Sequence, residues 1–169
     1  MKRLEHRYRK TLKYEIDRYI TFLRKYENAC KRRDNSSSII ASKYWTMLVK
    51  LYDRKKNILG MQLGIEVTPG FLGNGVRICH QNVIINGYVG DNCIFHGHNV
   101  IGNKRTGAGH EVPTLGSGVD IGVGAIVIGN VEIADNCVIG AGSVVTKSFL
   151  EPGTVIAGAP AKAINYSKE

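Results

Sequence analysis

Aliphatic residues stand six apart at Leu115, Ile121, Val127, Ile133, Ile139 and Val145, and this short period limits what the chain can fold into more than any other feature. A second series keeps the same step two positions ahead of the first: Val119, Ala125, Val131, Cys137 and Ser143, mostly small. Val89, Phe95 and Ile101 hold the step further back. A six-residue unit is one short strand and a turn, too small to bury an apolar face alone, so successive units must stack. Three such units close one triangular coil, with Gly or Asn where a corner needs positive φ. A flexible glycine-rich tract, or a sandwich with strands every ~8–12 residues, would not hold this register.

The period is broken once. Ile101 and Leu115 are fourteen apart, so about eight residues leave the coil as a loop at about 103–114, and loops on a rigid scaffold are where function is commonly placed. This one carries Lys104, Arg105, Gly107, Gly109, His110 and Glu111.

Residues 1–60 have another character. They hold 17 Lys or Arg, 6 acids and one Gly, against 6, 8 and 19 in residues 61–169. Leu4, Tyr8, Leu12, Ile16, Tyr19, Leu23 and Tyr26 recur every three or four positions, which predicts an amphipathic helix to about Arg33. Asp34 to Ser38 breaks it. A second helix is expected from near Ser38, with Tyr44, Met47, Leu48, Leu51, Tyr52 and Leu59 on its apolar side and Gly60 as its C-terminal cap. The chain thus reads as a basic α-helical segment, 1–60, followed by a repeat domain, 61–169.

Lys31-Arg32-Arg33 and Arg54-Lys55-Lys56 read as solvated faces, and without interleaved aromatics they do not call for nucleic acid as a partner. No apolar run approaches the ~18 residues of a membrane span, so membrane contact is at most peripheral. Cys30, Cys79, Cys93 and Cys137 show no C-x-x-C or zinc spacing and no secretory leader precedes the first helix. A reducing, cytoplasmic setting is expected, with no metal.

Five histidines are available for chemistry. His6 lies in the basic helix and reads as solvent-facing, whereas His80, His96, His98 and His110 lie in or beside the repeats. His80 follows Val76-Arg-Ile78 and precedes Val83-Ile84-Ile85, which puts it at a coil corner. A neutral imidazole suits general-base work near pH 7, although a lone histidine is more often structural.

Four segments together extend this reading: Gly64-Ile-Glu-Val-Thr-Pro69, Ile78-Cys-His80, Asn92-Cys-Ile-Phe-His96 and Ala157-Gly-Ala-Pro-Ala-Lys162. Over about residues 44–165 the chain resembles the serine acetyltransferase family of hexapeptide-repeat acyltransferases, most closely its short, capsule-cluster branch. The resemblance implies a left-handed parallel β-helix, trimeric, with acetyl-CoA bound in clefts between subunits. His80 then matches the general base, and Glu66 the carboxylate that orients it, where the family's longest-known members carry Asp. Gly102 and Asn103 match the segment whose backbone N–H groups serve the oxyanion and thioester. Gly122, Val123 and Gly124 lie where the family threads the pantetheine arm. Lys147 and Lys162 follow the repeats and are candidates for the coenzyme's phosphates.

Two places depart from the serine-specific pattern. Where those enzymes carry Asp before the catalytic histidine and Arg-His-Pro at the end of the loop, this chain reads Cys79 and Glu111-Val112-Pro113. Arg105 and His110 are candidates to replace the missing contacts; His96 and His98 are either acceptor contacts or corner residues. The expected activity is acetyl transfer from acetyl-CoA to a hydroxyl of L-serine or of a sugar, by direct transfer, since no Ser or Cys is evidently paired with a base. The rival from another class is a non-catalytic basic solenoid scaffold.

Overall fold

The structure, a computed structural model, describes residues 2–105 and 111–164, without the side chains of residues 2–6, 8 and 9. His110 therefore lies outside the described residues, as do the side chains of Leu4, His6 and Tyr8. The chain divides into two compact units, Met1–Ile65 and Glu66–Glu169.

The first unit is a pair of consecutive helices, α1 (Lys2–Asp34) and α2 (Ile39–Leu63). On α1 the three-and-four spacing buries Ile16, Tyr19 and Leu23. Ser38 caps α2, its Oγ accepting the Ala41 N–H at 3.5 Å. The far end differs from the sequence expectation. The cap is Gly64, left-handed at φ 64, whose N–H donates to the Gly60 carbonyl. Gly60 is buried inside the helix, where a Cβ would lie 2.7 Å from the Ile65 carbonyl oxygen and 3.2 Å from the Tyr19 ring, so this glycine serves close packing. The apolar residues of α2 also fail to share one side: Leu59 is buried with Val49 and Leu63, while Tyr44, Met47 and Leu51 are exposed. Among the described residues no helix is long and apolar enough to cross a membrane.

The strands of the repeat region are β1 (Ile65–Val67), β2 (Arg77–Ile78), β3 (Val83–Ile85), β4 (Tyr88–Val89), β5 (Ile94–Phe95), β6 (Val100–Gly102) and β7 (Thr114–Leu115). They continue as β8 (Asp120–Ile121), β9 (Ile126–Ile128), β10 (Glu132–Ile133), β11 (Val138–Ile139), β12 (Val144–Val145), β13 (Val155–Gly158) and β14 (Ala161–Ile164). Three sheets result. Sheet A runs β1-β3-β6-β9-β12, sheet B runs β4-β7-β10, and sheet C runs β2-β5-β8-β11-β13-β14. From β2 on the chain visits C, A and B in turn; neighbours among β2 to β13 are parallel, and β14 folds back antiparallel on β13. This is the three-sided parallel β-helix that the six-residue period calls for.

Register gives the length of each coil. Asp120 pairs with Val138, 18 residues on, whereas Ile94 pairs with Asp120, 26 on. The surplus of eight is the loop between β6 and β7. Both sequence series point inward: Leu115, Ile121, Val127, Ile133, Ile139 and Val145 are buried, and so are Val119, Ala125, Val131, Cys137 and Ser143. The core is thus a stack of residues one coil apart, ~4.8 Å from one layer to the next.

A truncation in this stack leaves a gap that neighbouring layers cannot fill, because their hydrogen bonds fix the spacing. Ile121→Ala, at a fully buried position, is expected to cost about 2–5 kcal/mol, read as a lower urea midpoint for loss of the β signal. The same change at Ile84, 42% exposed, is expected to cost about 1 kcal/mol or less.

Candidate active site

His80 is exposed at the corner where sheet C turns into sheet A. That corner is one residue longer than the corners below it in the same column. From Ile78 to Ile85, both buried, the step is seven residues instead of six, and the surplus is absorbed at Asn82, which takes φ 60, a left-handed conformation that asparagine tolerates. One coil on, His98 takes φ 56. Its N–H donates to the Gln81 carbonyl at 3.0 Å, and its Nδ1 lies 3.4 Å from Asn82 Nδ2. His98 is thereby tied into the corner that carries His80.

Gly97 lies directly against the histidine. Its φ is 114, and a Cβ here would stand 2.6 Å from His80 Cβ and 3.4 Å from the Gln81 carbonyl oxygen. Gly97 is held from the inside by Asn99, buried in the corner: its Oδ1 accepts the Gly97 N–H at 2.9 Å, and its Nδ2 donates to the Gly122 carbonyl at 2.7 Å. Gly97 and Asn99 were not singled out by the sequence reading. The signal was a Gly between two histidines with an Asn in an inward series whose other members are mostly small.

The same corner repeats down the solenoid. Gly124 N–H donates to the Gly97 carbonyl, and Gly142 N–H to the Val123 carbonyl, so Gly122, Val123 and Gly124 continue the column that starts at His80. A Cβ on Gly122 would lie 2.6 Å from the Ala141 nitrogen, so the coils require glycine there; at Gly124 nothing lies within 4 Å and only its φ of 70 favours glycine. Gly140 stacks on Ala157, and Ala157 pairs with Lys162 across the hairpin of β13 and β14. Lys162 is exposed at the far end of the column. From the level of His80 to that of the hairpin is four coil steps, roughly 19 Å.

Other expected residues lie elsewhere. Gly102 ends β6, paired in the ladder with Ile128 and accepting the Gly129 N–H. Asn103 Oδ1 accepts from Asn86 Nδ2, whose own Oδ1 accepts from Thr68 Oγ1. Arg105 is exposed at the start of the loop, and exposed Lys147 places its Nζ over the Phe149 ring at 5.4 Å. Gly102, Asn103, Arg105 and Lys147 thus belong to the turn from sheet A to sheet B. His80, His96, His98 and Gly122 to Gly124 belong to the turn from C to A. A three-residue strand, ~10 Å long, separates the two groups. Glu66 sits exposed on β1 of sheet A. Among the described residues no hydrogen bond or ion pair joins it to His80, whereas His96 Nε2 lies 2.8 Å from Asp120 Oδ1.

All four cysteines are free. Burial pushes the Cys93 and Cys137 thiols up from their ordinary range, while Cys79 is exposed next to His80. Among the described residues no group of three or more His, Cys, Asp or Glu could hold a metal ion.

Comparison with known proteins bears on this arrangement. The chain is 38% identical over 108 residues to a serine acetyltransferase of Synechococcus elongatus, covering 62% of this chain and 44% of that one. The chain is similar to serine acetyltransferases. The solved serine acetyltransferase of Neisseria gonorrhoeae superposes with a TM-score of 0.62 at 30% identity, over 71% of this chain and 48% of that one. Soybean serine acetyltransferase complexed with serine gives a TM-score of 0.62 at 26% identity, over 80% and 56%. This chain spans less than half the length of the Synechococcus protein. No protein-family model matches it.

The raised thiols give a labelling prediction. A group whose pKa lies above the working pH stays protonated and unreactive, and burial adds a steric block. At pH 7.5 iodoacetamide is expected to modify exposed Cys79 and to leave Cys93 and Cys137 untouched until denaturant is added, as peptide mass spectrometry will show.

Proposed function

We propose that the chain is an O-acetyltransferase that uses acetyl-CoA and acetylates L-serine, with His80 as general base. The observation that carries this is the exposed histidine on an enlarged corner, at the head of a column of small residues ending at Lys162, in a chain similar to serine acetyltransferases. The acceptor hydroxyl gives its proton to the His80 imidazole as its oxygen attacks the thioester carbonyl. The tetrahedral intermediate then collapses, the C–S bond breaks, and the leaving thiolate regains the proton from the imidazolium. Small residues at Gly122 to Gly124 leave room for an extended pantetheine arm against the backbone, and Lys162 meets the phosphates. Glu66 takes the part of the carboxylate that orients His80.

Gly102 and Asn103 supply backbone donors to the thioester in this reading. One chain cannot apply both corners to one acetyl group, since sheet A stands between them. A cyclic homotrimer, with the His80 corner of one subunit against the Asn103 corner of the next, joins the two halves. Four free cysteines suit a reducing cytoplasm.

Cys79 and Glu111-Val112-Pro113 favour a second reading, O-acetylation of a sugar hydroxyl as in a short, capsule-cluster enzyme, because carboxylate and Arg-His contacts for an amino acid are missing at those places. Thiol release from acetyl-CoA with L-serine, and separately with a panel of sugars and glycans, tests both. Serine-dependent release is expected, lowered by at least about 10²-fold in His80→Ala. Release with sugars alone would move the assignment to glycan acetylation. No release with any acceptor would leave the basic scaffold.

A further inference from the structure

We propose that His96, held by Asp120, forms an acceptor subsite beside His80, one that receives a hydrogen-bond donor carried next to the reacting hydroxyl. The proposal rests on the acetyl-transfer reading and adds to it a carboxylate for which sequence analysis gave no role.

The position of the pair follows from register. Ile78 pairs with Phe95, and the Cys79 N–H donates to the Phe95 carbonyl at 2.8 Å, so Cys79 runs beside His96 and His80 beside Gly97. At one residue along and one coil across, His96 and His80 have their Cα atoms roughly 6 Å apart. Asp120 pairs with Ile94, two residues before His96, and so shares the outward face from which the imidazole reaches diagonally across to it. The contact is 2.8 Å, from Nε2 to Oδ1, with side chains 42% and 41% exposed. A contact this open to water contributes little to stability. What distinguishes it is that His96 stands one coil from the base, with Asp120 one coil further on.

Chemistry then fixes what the pair can hold. With Nε2 bonded to Asp120 in the neutral tautomer, the proton sits on Nε2 and Nδ1 keeps its lone pair facing outward from that bond. Among the described residues nothing else hydrogen-bonds to the imidazole or to the second carboxylate oxygen. One acceptor atom, Nδ1 of His96, is therefore presented on the strand beside His80 and wants a donor, while Asp120, two coils from the base, holds the tautomer that leaves it free to accept. The ligand class is a hydroxyl compound with a hydroxyl or ammonium on the adjacent carbon. The ammonium of a β-hydroxy amino acid and a vicinal sugar hydroxyl share this chemistry. Cys79, beside His96, presents only a weak thiol donor and acceptor, so the His96 Nδ1 is the stronger acceptor on this face.

The experiment compares wild type with Asp120→Asn and His96→Gln in the thiol-release assay, with melting curves to show that each variant is folded. Acceptors are taken in pairs that differ only in the adjacent donor: L-serine with 3-hydroxypropionate, and each active sugar with its deoxy analogue. The expected result is a KM for the donor-bearing acceptor raised at least 10-fold in both variants, with kcat within about 3-fold and acetyl-CoA KM unchanged, and no such rise for the acceptor without the donor. A serine effect identifies the ammonium as occupant, a sugar effect the vicinal hydroxyl. Wild-type KM values for folded variants with every active acceptor would overturn the subsite while leaving acetyl transfer intact. Absence of turnover in wild type with all acceptors would overturn the acetyl-transfer reading and the subsite with it.

Discussion

The interaction on which the rest depends is the backbone hydrogen bond from one coil to the next. Each layer donates to and accepts from its neighbours in fixed register, as in Gly90 to Leu115, Gly116 to Ile133 and Gly122 to Ile139, and this sets a spacing of ~4.8 Å that no side chain can change. Everything lateral follows. Residues one coil apart stand in columns, so the inward columns must be apolar and close-fitting, and a corner column must be small where backbones nearly touch. Gly73 and Gly90 show how tight that is, since a Cβ on either would fall about 2.4–2.5 Å from backbone atoms of the next coil.

A rigid column also determines what can be done to a reactive group upon it. His80 is carried by a corner with one surplus residue, and the corner below it is built from Gly97, His98 and Asn99, each engaged with the layers above or beneath. The imidazole is exposed, yet its Cβ has a floor. Mobility is left to the side-chain torsions, and the backbone is not free to drift. Such support from a neighbouring layer is what keeps a catalytic group in position.

Much of this was legible in the sequence because the period is a direct image of the stacking. From Leu115 to Val145 the two six-residue series name the core positions one by one, and the gap after Ile101 gave the eight-residue insertion. The first coil was harder to read. There the inward residues are Ile78, Ile85 and Val89, with steps of seven and four, because the His80 corner is enlarged and the next one shortened at Asn86 and Gly87. The ends of α2 were misread at Gly60 because a glycine needed for close approach to Ile65 and Tyr19 looks the same in sequence as a glycine needed for positive φ. The division of the site residues between two corners depends on which sheet each strand joins, and single residue types carry no trace of it. The pairing of His96 with Asp120 crosses from one coil to the next, over an insertion, so 24 residues of sequence separate groups 2.8 Å apart.

The most direct test of the claim that the layer beneath positions the base is the turnover of Gly97→Ala set against Gly153→Ala. Both glycines have positive φ, 114 and 74, so both changes strain the backbone; only at position 97 does the new Cβ meet His80, since nothing lies within 4 Å at position 153. The account predicts folded variants in both cases, but a kcat at least ~10-fold lower for Gly97→Ala alone, in keeping with the sensitivity of catalysis to small displacements. Equal turnover in the two folded variants would contradict it.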